Sequence, residues 1–374
     1  MTAITAQDLA FMQNALDLAS RGLGTTAPNP SVGCILVNNE VVIGRGWTQP
    51  GGRPHAETAA LSVAGESARG ATAYVTLEPC CHHGKTPPCT DALIAAGVAR
   101  VVVATSDPDD RVDGGGLAAL EDAGIEVITG VLEDKARISN AGFFKAKRHG
   151  LPFIALKSAT SLDGRIALKS GESQWISGEA SRRYGHYLRS THDAIVVGSG
   201  TVVADNPSLT CRLPGYEGQA SLQPVRVVLD RRLRIDPECT LAQTAHETPT
   251  WVVTSAAADA DKVGILESYG VFVLTAADPS DYAFARAAAS VLAERGLTRV
   301  LVEGGGHIAA SFLHDNLVDR IYAIRAPMII GGDGKPAMAG LELSQLSDAP
   351  RFQRVETRYF GPDILEILDR EPTV

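Results

Sequence analysis

Short apolar runs alternate with amphipathic stretches along most of the chain. Near the start, Thr5-Ala-Gln-Asp8 resembles a capping box, with Asp8 where Glu is usual. Leu9, Met12 and Leu16 then fall on one face of a helix. Val32 to Val37 predicts a strand, and Glu40 to Gly44 its hairpin partner across Asn38-Asn39. A helix opens at Pro54 and His55 and runs through Leu61. Strands follow at Ala73 to Leu77, Val101 to Ala104 and Ile125 to Thr129, with helices between them at Thr90 to Ala96 and Leu117 to Ala123. This alternation predicts a mainly parallel sheet covered on both faces.

The rhythm breaks at Lys145-Ala-Lys-Arg-His-Gly-Leu-Pro152, which is basic and ends in Gly and Pro. It reads as a solvated linker and sets two domains, residues 1–149 and 150–374. A second alternation follows. Strands are expected at Phe153–Lys157, Ala194–Val197, Val225–Leu229, Trp251–Thr254, Val271–Leu274 and Val300–Val302. Helices are expected at Glu179–Ser190, Lys262–Tyr269, Phe284–Arg295 and His307–Asn316.

Composition narrows the class. A chain of 374 residues is long enough for two or three domains, each with its own core. There are 34 Lys+Arg against 43 Asp+Glu, a net charge of −9, which argues against broad nucleic-acid binding. No apolar run approaches a membrane span. The first basic residue is Arg21, so a secretory leader is not expected and a cytoplasmic location is. Six cysteines are too sparse for a disulfide scaffold, yet Cys80, Cys81 and Cys89 cluster beside His82 and His83.

That cluster carries chemistry. A catalytic zinc wants three protein ligands and an open position, and His55, Cys80 and Cys89 supply three. His55 and Glu57, two residues apart, can converge on one metal only at a helix start, which Pro54 marks. Cys89 is expected at another helix start, with Thr86 as its cap and Pro87-Pro88 in its first turn. There the helix dipole favours thiolate. Glu57 is then a general base for hydrolytic deamination. Zinc deaminases usually show H-x-E followed by P-C-x-x-C, whereas eight residues separate the two cysteines here. A structural zinc would need a fourth ligand, and Cys81, His82 or His83 could provide it.

Longer segments are more specific. Pro28-Asn-Pro-Ser-Val-Gly33, Pro54-His-Ala-Glu57 and Thr76-Leu-Glu-Pro-Cys-Cys-His-His-Gly-Lys-Thr-Pro-Pro-Cys89 resemble the bifunctional riboflavin-biosynthesis deaminase–reductases. So do Lys157-Ser-Ala-Thr-Ser-Leu-Asp-Gly-Arg165, Ser173-Gln-Trp-Ile176, Leu188-Arg189, Asp193-Ala-Ile-Val-Val-Gly198, Thr201, Asp205-Asn-Pro-Ser-Leu209, Arg212 and Val302-Glu-Gly-Gly-Gly306. The resemblance spans nearly the whole chain in family order. It implies an N-terminal cytidine-deaminase-like three-layer α/β/α domain and a C-terminal dihydrofolate-reductase-like α/β domain. The first would deaminate 2,5-diamino-6-(5-phosphoribosylamino)pyrimidin-4-one. The second would use NADPH to reduce the ribosyl chain of 5-amino-6-(5-phosphoribosylamino)uracil to the ribityl form. The resemblance also implies one Zn2+ on His55, Cys80 and Cys89, with Glu57 catalytic. It implies pyrimidine or phosphate contacts at Asn29, His82 and Lys85. NADPH would be lined by Ala159, Trp175, Thr201, Asp205, Gly305, Gly306, His307, Ile308, Ala309, Ala310 and Ser311. Reductase substrate would meet Lys157, Ser173, Arg189, Leu209, Arg212 and Glu303. A homo-oligomer, with a dimer favoured, would complete the picture. Thr48 stands where the family often has His, Asp109-Asp110 where it has Asn-Pro, and Cys81 where Ser is common.

The residues allow rival readings beside this one. Gly304, Gly306 and Ala309 fit G-x-G-x-x-A between a strand and a helix, a spacing that suits a pyrophosphate or a plain tight turn. Trp175 could belong to the core, and Arg189 to a solvated helix end. Lys157 and Asp205 both qualify for proton handling in the reduction. A monofunctional deaminase with an assembly domain would neither bind nor oxidise NADPH. A nucleic-acid base deaminase would act on an oligonucleotide and ignore the free nucleotide-like substrate.

Overall fold

The computed structural model describes residues 4–84, 86–109, 111–112, 114–216, 218–277 and 283–371. The chain divides into two compact units, residues 1–149 and 150–374. In the first, α1 (Ala6–Ala19) leads into strands β1 (Gly33–Asn38) and β2 (Val41–Trp47). Then come α2 (Ala56–Ala64), β3 (Thr72–Val75), α3 (Cys89–Ala96), β4 (Arg100–Val103), α4 (Gly115–Asp122), β5 (Glu126–Thr129), α5 (Glu133–Ser139) and α6 (Ala141–His149). The capping box is present: the Asp8 N–H donates to Thr5 Oγ1, and the Thr5 N–H donates to Asp8. Asp8 goes further, accepting from Tyr74 Oη (2.9 Å) and pairing with Arg100 (2.8 Å). The helix buries Met12 and Leu16 while Leu9 is exposed, because Asp8 turns the buried face towards β3 and β4.

Among the described residues the sheet runs β2-β1-β3-β4-β5. It is mixed where the alternation predicted mainly parallel pairing. β1 is antiparallel to both β2 and β3, and only β3, β4 and β5 are parallel. The hairpin reverses the chain, so β1 points against the strands that follow crossover helices. Successive side chains feed opposite faces. Cys34, Leu36, Ala73, Val75, Val101 and Val103 meet α2, α3 and α4. Ile35, Val37, Tyr74 and Val102 meet α1 and α5.

The basic stretch at 145–149 is not a linker. It forms the last turn of α6, whose Phe143 and Phe144 are buried in the first core. Lys147 pairs with Asp109 (2.8 Å), and Arg148 stacks on Phe144. Cations suit a helix C-terminus, which is why a run of them fits there.

The second unit is built from β6 (Phe153–Thr160), β7 (Arg165–Ala167), α7 (Glu179–Ser190), β8 (Ala194–Gly198), α8 (Ser199–Asp205), β9 (Val225–Leu229), α9 (Thr240–Gln243) and β10 (Thr250–Ser255). It continues with α10 (Ala260–Ser268), β11 (Phe272–Ala276), α11 (Ala283–Glu294), β12 (Arg299–Val302), α12 (Gly306–His314), β13 (Arg320–Arg325), β14 (Lys335–Pro336), β15 (Phe352–Phe360) and β16 (Asp363–Arg370). Its main sheet runs β11-β10-β9-β8-β12-β6-β13-β16-β15 among the described residues. All pairs are parallel up to β13; β16 and β15 are antiparallel. One face packs on α11 and α12, the other on α8, α9 and α10. The parallel strands β8, β12 and β6 therefore end along one edge, where ligand crevices form in such sheets.

Candidate active sites

His55 is the N-cap of α2, and Glu57 lies in the first turn. Cys89 is the first residue of α3. The cap of α3 is Pro88, not Thr86, and it offers no side-chain hydrogen bond. Cys80 fills that role. Its Sγ accepts the Cys89 N–H (3.4 Å), and its carbonyl accepts the Thr90 N–H (3.3 Å). His55 Nδ1 faces Cys89 Sγ at 3.3 Å and Cys80 Sγ at 3.7 Å. The three ligand atoms all lie within 4.8 Å of one another, so a cation fits between them. Cys80 is drawn down to about 4, chiefly by the hydrogen bond from Cys89, while Cys89 is pushed up by Cys80. Two thiols and one imidazole at this spacing are a soft donor set that suits a divalent cation such as zinc. Glu57 is 4% exposed, and burial pushes its carboxyl up to about 7.

Contacts draw the neighbouring loops to this centre. Asn29 is packed on Gly52, whose φ of +84° and lack of a Cβ both matter, since a Cβ would collide with the Asn29 amide. Arg53 follows, then Pro54 and His55. On the other side, the loop after Cys80 carries His82, whose Nδ1 is buried with no partner among the described residues. Lys85 lies outside the described residues. Cys81 turns away, with Sγ donating to the Arg111 carbonyl (3.8 Å). Thr48 is buried, and its Oγ1 accepts the Val32 N–H (3.0 Å). Asp109 pairs with Arg111 and Lys147, and Asp110 is outside the described residues.

In the second unit, Glu303 follows β12 and is the hub. Arg189 grips it with two hydrogen bonds (2.7 and 3.0 Å), and Lys157 Nζ stands 3.9 Å away. Arg189 is thus in a buried ion pair, not a solvated helix end. Burial raises the Glu303 carboxyl, but Arg189 and then Lys157 outweigh it and hold it at about 2. Arg189 also donates to the Thr210 carbonyl (2.8 Å), tying in the segment with buried Leu209 and exposed Arg212. Trp175 is 64% exposed, so it is not core; Arg182 of α7 lies 4.3 Å from its ring centroid. Gly305 caps α12 without a side-chain hydrogen bond, leaving first-turn N–H groups for a ligand. A Cβ on Gly304 would collide with Ile308, and one on Gly306 would stand 2.7 Å from the Pro336 carbonyl. Thr201 Oγ1 lies 3.9 Å from the Cβ position of Gly305.

Other expected residues are less gathered. Ile308, Ala309 and Ala310 are buried, so only their backbone is available; His307 is exposed, and Ser311 Oγ donates to the His307 carbonyl. Asp205 ends α8 in the open. Ala159 is half-buried in β6, paired in register with Ile324. Ser173 is half-buried in the segment before α7.

Two family models cover these two sites separately. That for the cytidine and deoxycytidylate deaminase zinc-binding region matches residues 5–105, and that for the RibD C-terminal domain matches residues 152–365. The riboflavin biosynthesis protein RibD of Bacillus amyloliquefaciens is 42% identical over 355 residues, covering 95% of this chain and 94% of its own. The chain belongs to the RibD family. The Escherichia coli RibD is also 42% identical, over 366 residues covering 96% of this chain and 98% of its own. Among solved structures, Acinetobacter baumannii RibD, form 1, superposes with a TM-score of 0.87 at 38% identity, covering 98% of this chain and 99% of that one. A diaminohydroxyphosphoribosylaminopyrimidine deaminase/5-amino-6-(5-phosphoribosylamino)uracil reductase from Thermotoga maritima gives 0.84 at 35% identity, covering 97% and 99%. As a RibD, the chain is a bifunctional deaminase and reductase of riboflavin biosynthesis.

The RibD sites also depend on residues to which motif reading gave no role. Buried Glu78 accepts four backbone N–H groups, from Asp107, Gly114, Gly116 and Leu117, and so fixes the strand end that presents Cys80. Glu78 stands inside the Thr76–Cys89 segment, but nothing in its spacing told what it would hold. Asp363 of β16 accepts from Gly178 N–H (2.7 Å) and Ser181 Oγ (2.6 Å), capping α7 from 182 residues away. His186 sits on α7 against Arg212, with ring nitrogens 3.3 Å from its N and 3.4 Å from its Nε. No local pattern announces either.

Proposed function

We propose that the first unit hydrolytically deaminates 2,5-diamino-6-(5-phosphoribosylamino)pyrimidin-4-one with one Zn2+ held by His55, Cys80 and Cys89. The observation that carries this is the convergence of those three ligand atoms beside buried Glu57. Zinc bound there would supply Lewis acidity and make a water acidic near neutral pH. Glu57 takes one water proton on its carboxylate and gives it to the pyrimidine ring nitrogen; it then carries the second, from the hydroxyl now on the reacting carbon, to the amino group, whose C–N bond breaks to release ammonia as the carbonyl forms. Its raised affinity for a proton suits both steps. Asn29, His82 and Lys85 orient the pyrimidine and its phosphoribosyl arm.

The second unit then reduces the ribosyl chain of 5-amino-6-(5-phosphoribosylamino)uracil with NADPH. The uncapped start of α12 supports cofactor binding there. Gly305, Gly306 and the backbone through Ser311 hold the diphosphate, with Ala159, Trp175, Thr201 and Asp205 along the cofactor. NADPH supplies the hydride. Lys157, Ser173, Arg189, Leu209, Arg212 and Glu303 hold the substrate, Arg212 meeting its phosphate. A cytoplasmic homodimer fits this reading. Among the described residues no helix is long and apolar enough to cross a membrane. The edge strand β15 exposes most of its residues, as a strand available for pairing does. Metal analysis tests the central part. Chelation should strip about one zinc per chain and abolish ammonia release, and zinc should restore it. Full deamination by the metal-free chain would overturn the assignment.

A further inference from the structure

Arg53 was not marked by any motif. It is half-buried, two residues before His55. Its Nε is buried with no hydrogen-bond partner among the described residues, and no carboxylate there pairs with it. Its Nη2 lies 3.5 Å from the position a Cβ on Gly84 would take. Nε and Nη2 form the guanidinium edge that grips two oxygens at once. Across that edge is the loop carrying His82, whose Nδ1 is likewise buried and unpaired. On its near side Asn29 packs on Gly52, the residue before Arg53. Two buried nitrogens without partners among the described residues, Arg53 Nε and His82 Nδ1, thus stand on the segments that flank the zinc-ligand set, and buried polar groups normally have partners. A guanidinium whose Nε is buried without a partner is costly to leave unsatisfied. An incoming dianion would satisfy both donors and the charge.

We infer that Arg53 is a phosphate-recognition residue of the deamination site, closing on the substrate's phosphomonoester with His82 as second donor. This rests on the deamination proposed above. It adds a binding group that the motif residues Asn29, His82 and Lys85 leave out. Arg53 selects for the phosphorylated substrate and leaves the reacting carbon to Glu57.

The test uses the zinc-loaded full chain as wild type, R53K and R53Q. kcat/KM for ammonia release is measured on the phosphorylated substrate and on its dephosphorylated counterpart. The phosphorylated-to-dephosphorylated ratio should fall about tenfold to a hundredfold in R53Q, the range for losing a charge-assisted hydrogen bond. R53K should fall between, because a point charge replaces a fork. Zinc content and unfolding midpoint should match wild type. An unchanged ratio, or equal losses on both substrates, would overturn the role of Arg53 alone. Loss of zinc or of the fold in both variants would make Arg53 structural and overturn it too. A wild type that deaminates neither compound would instead overturn the deamination reading beneath it.

Discussion

The two sites are built differently. The proposed deaminase centre would draw its metal ligands and base from residues 55 to 89, all on helix starts or the loop between them. The proposed reductase centre would draw on β6, α7, the segment after α8 and the turn after β12, which ion pairs and hydrogen bonds join over long sequence distances. A metal site needs particular donors at short reach, so its signature is local and its spacing is informative. A charged substrate pocket needs only that packing bring charges together, so its signature is scattered. The first site should therefore fail one function at a time on substitution, while the second should fail in activity and stability together.

Glu57→Gln gives the largest expected effect on activity. Ammonia release should drop about 10²–10⁴-fold with zinc retained. Reduction of separately supplied deaminated substrate should continue. Loss of zinc on metal analysis would mean that Glu57 also shapes the ligand set. Glu303→Gln probes the other kind of site. It leaves Arg189 buried without its counter-charge, so the second unit should lose about 3–5 kcal/mol in denaturant unfolding and also lose reduction. Retained stability with lost reduction would make this site as separable as the first.

Acid sharpens the same contrast. The Glu303 carboxyl is held at about 2, below its ordinary 4.5. A depressed folded value contributes stability above the ordinary value and loses it as pH falls through the folded one. Wild-type stability should therefore fall from about pH 4.5 towards about pH 2, and Glu303→Gln should flatten that part of the profile. An equal slope in both proteins would place the acid sensitivity elsewhere.

Arg212→Ala should be milder, raising KM for the reductase substrate about tenfold and sparing deamination. An equal loss in both assays would show that the sites are not independent. Cys81→Ser should be smallest of all, retaining zinc and ammonia release, since Cys81 Sγ is turned towards the Arg111 carbonyl. Zinc loss there would revise the ligand set.

Legibility followed the same divide. The Thr5–Asp8 capping box was readable because capping is local, but the reach of Asp8 to Tyr74 and Arg100 was not. His55, Cys80 and Cys89 could be grouped because helix starts explain the i, i+2 spacing to Glu57. The stretch from 145 misled because a basic run ending in Gly-Pro looks the same whether solvated or closing an amphipathic helix; Phe143 and Phe144 were the missed signal. In the second unit the strands with β-branched runs were readable, whereas β13, β15 and β16, with their charged positions, were not anticipated. Asp363 then had no context, because its partner helix is visible only once β16 is in the sheet.

The claim that one chain carries both reactions is tested most directly by a coupled assay. The diamino-pyrimidinone ribosylamine phosphate is supplied with NADPH, and ammonia release and NADPH oxidation are followed together. Ammonia should appear first and NADPH oxidation follow in equal amount, with Glu57→Gln silencing both and the deaminated product restoring oxidation alone. Oxidation without prior ammonia release, or ammonia release with no oxidation when NADPH is present, would contradict the account.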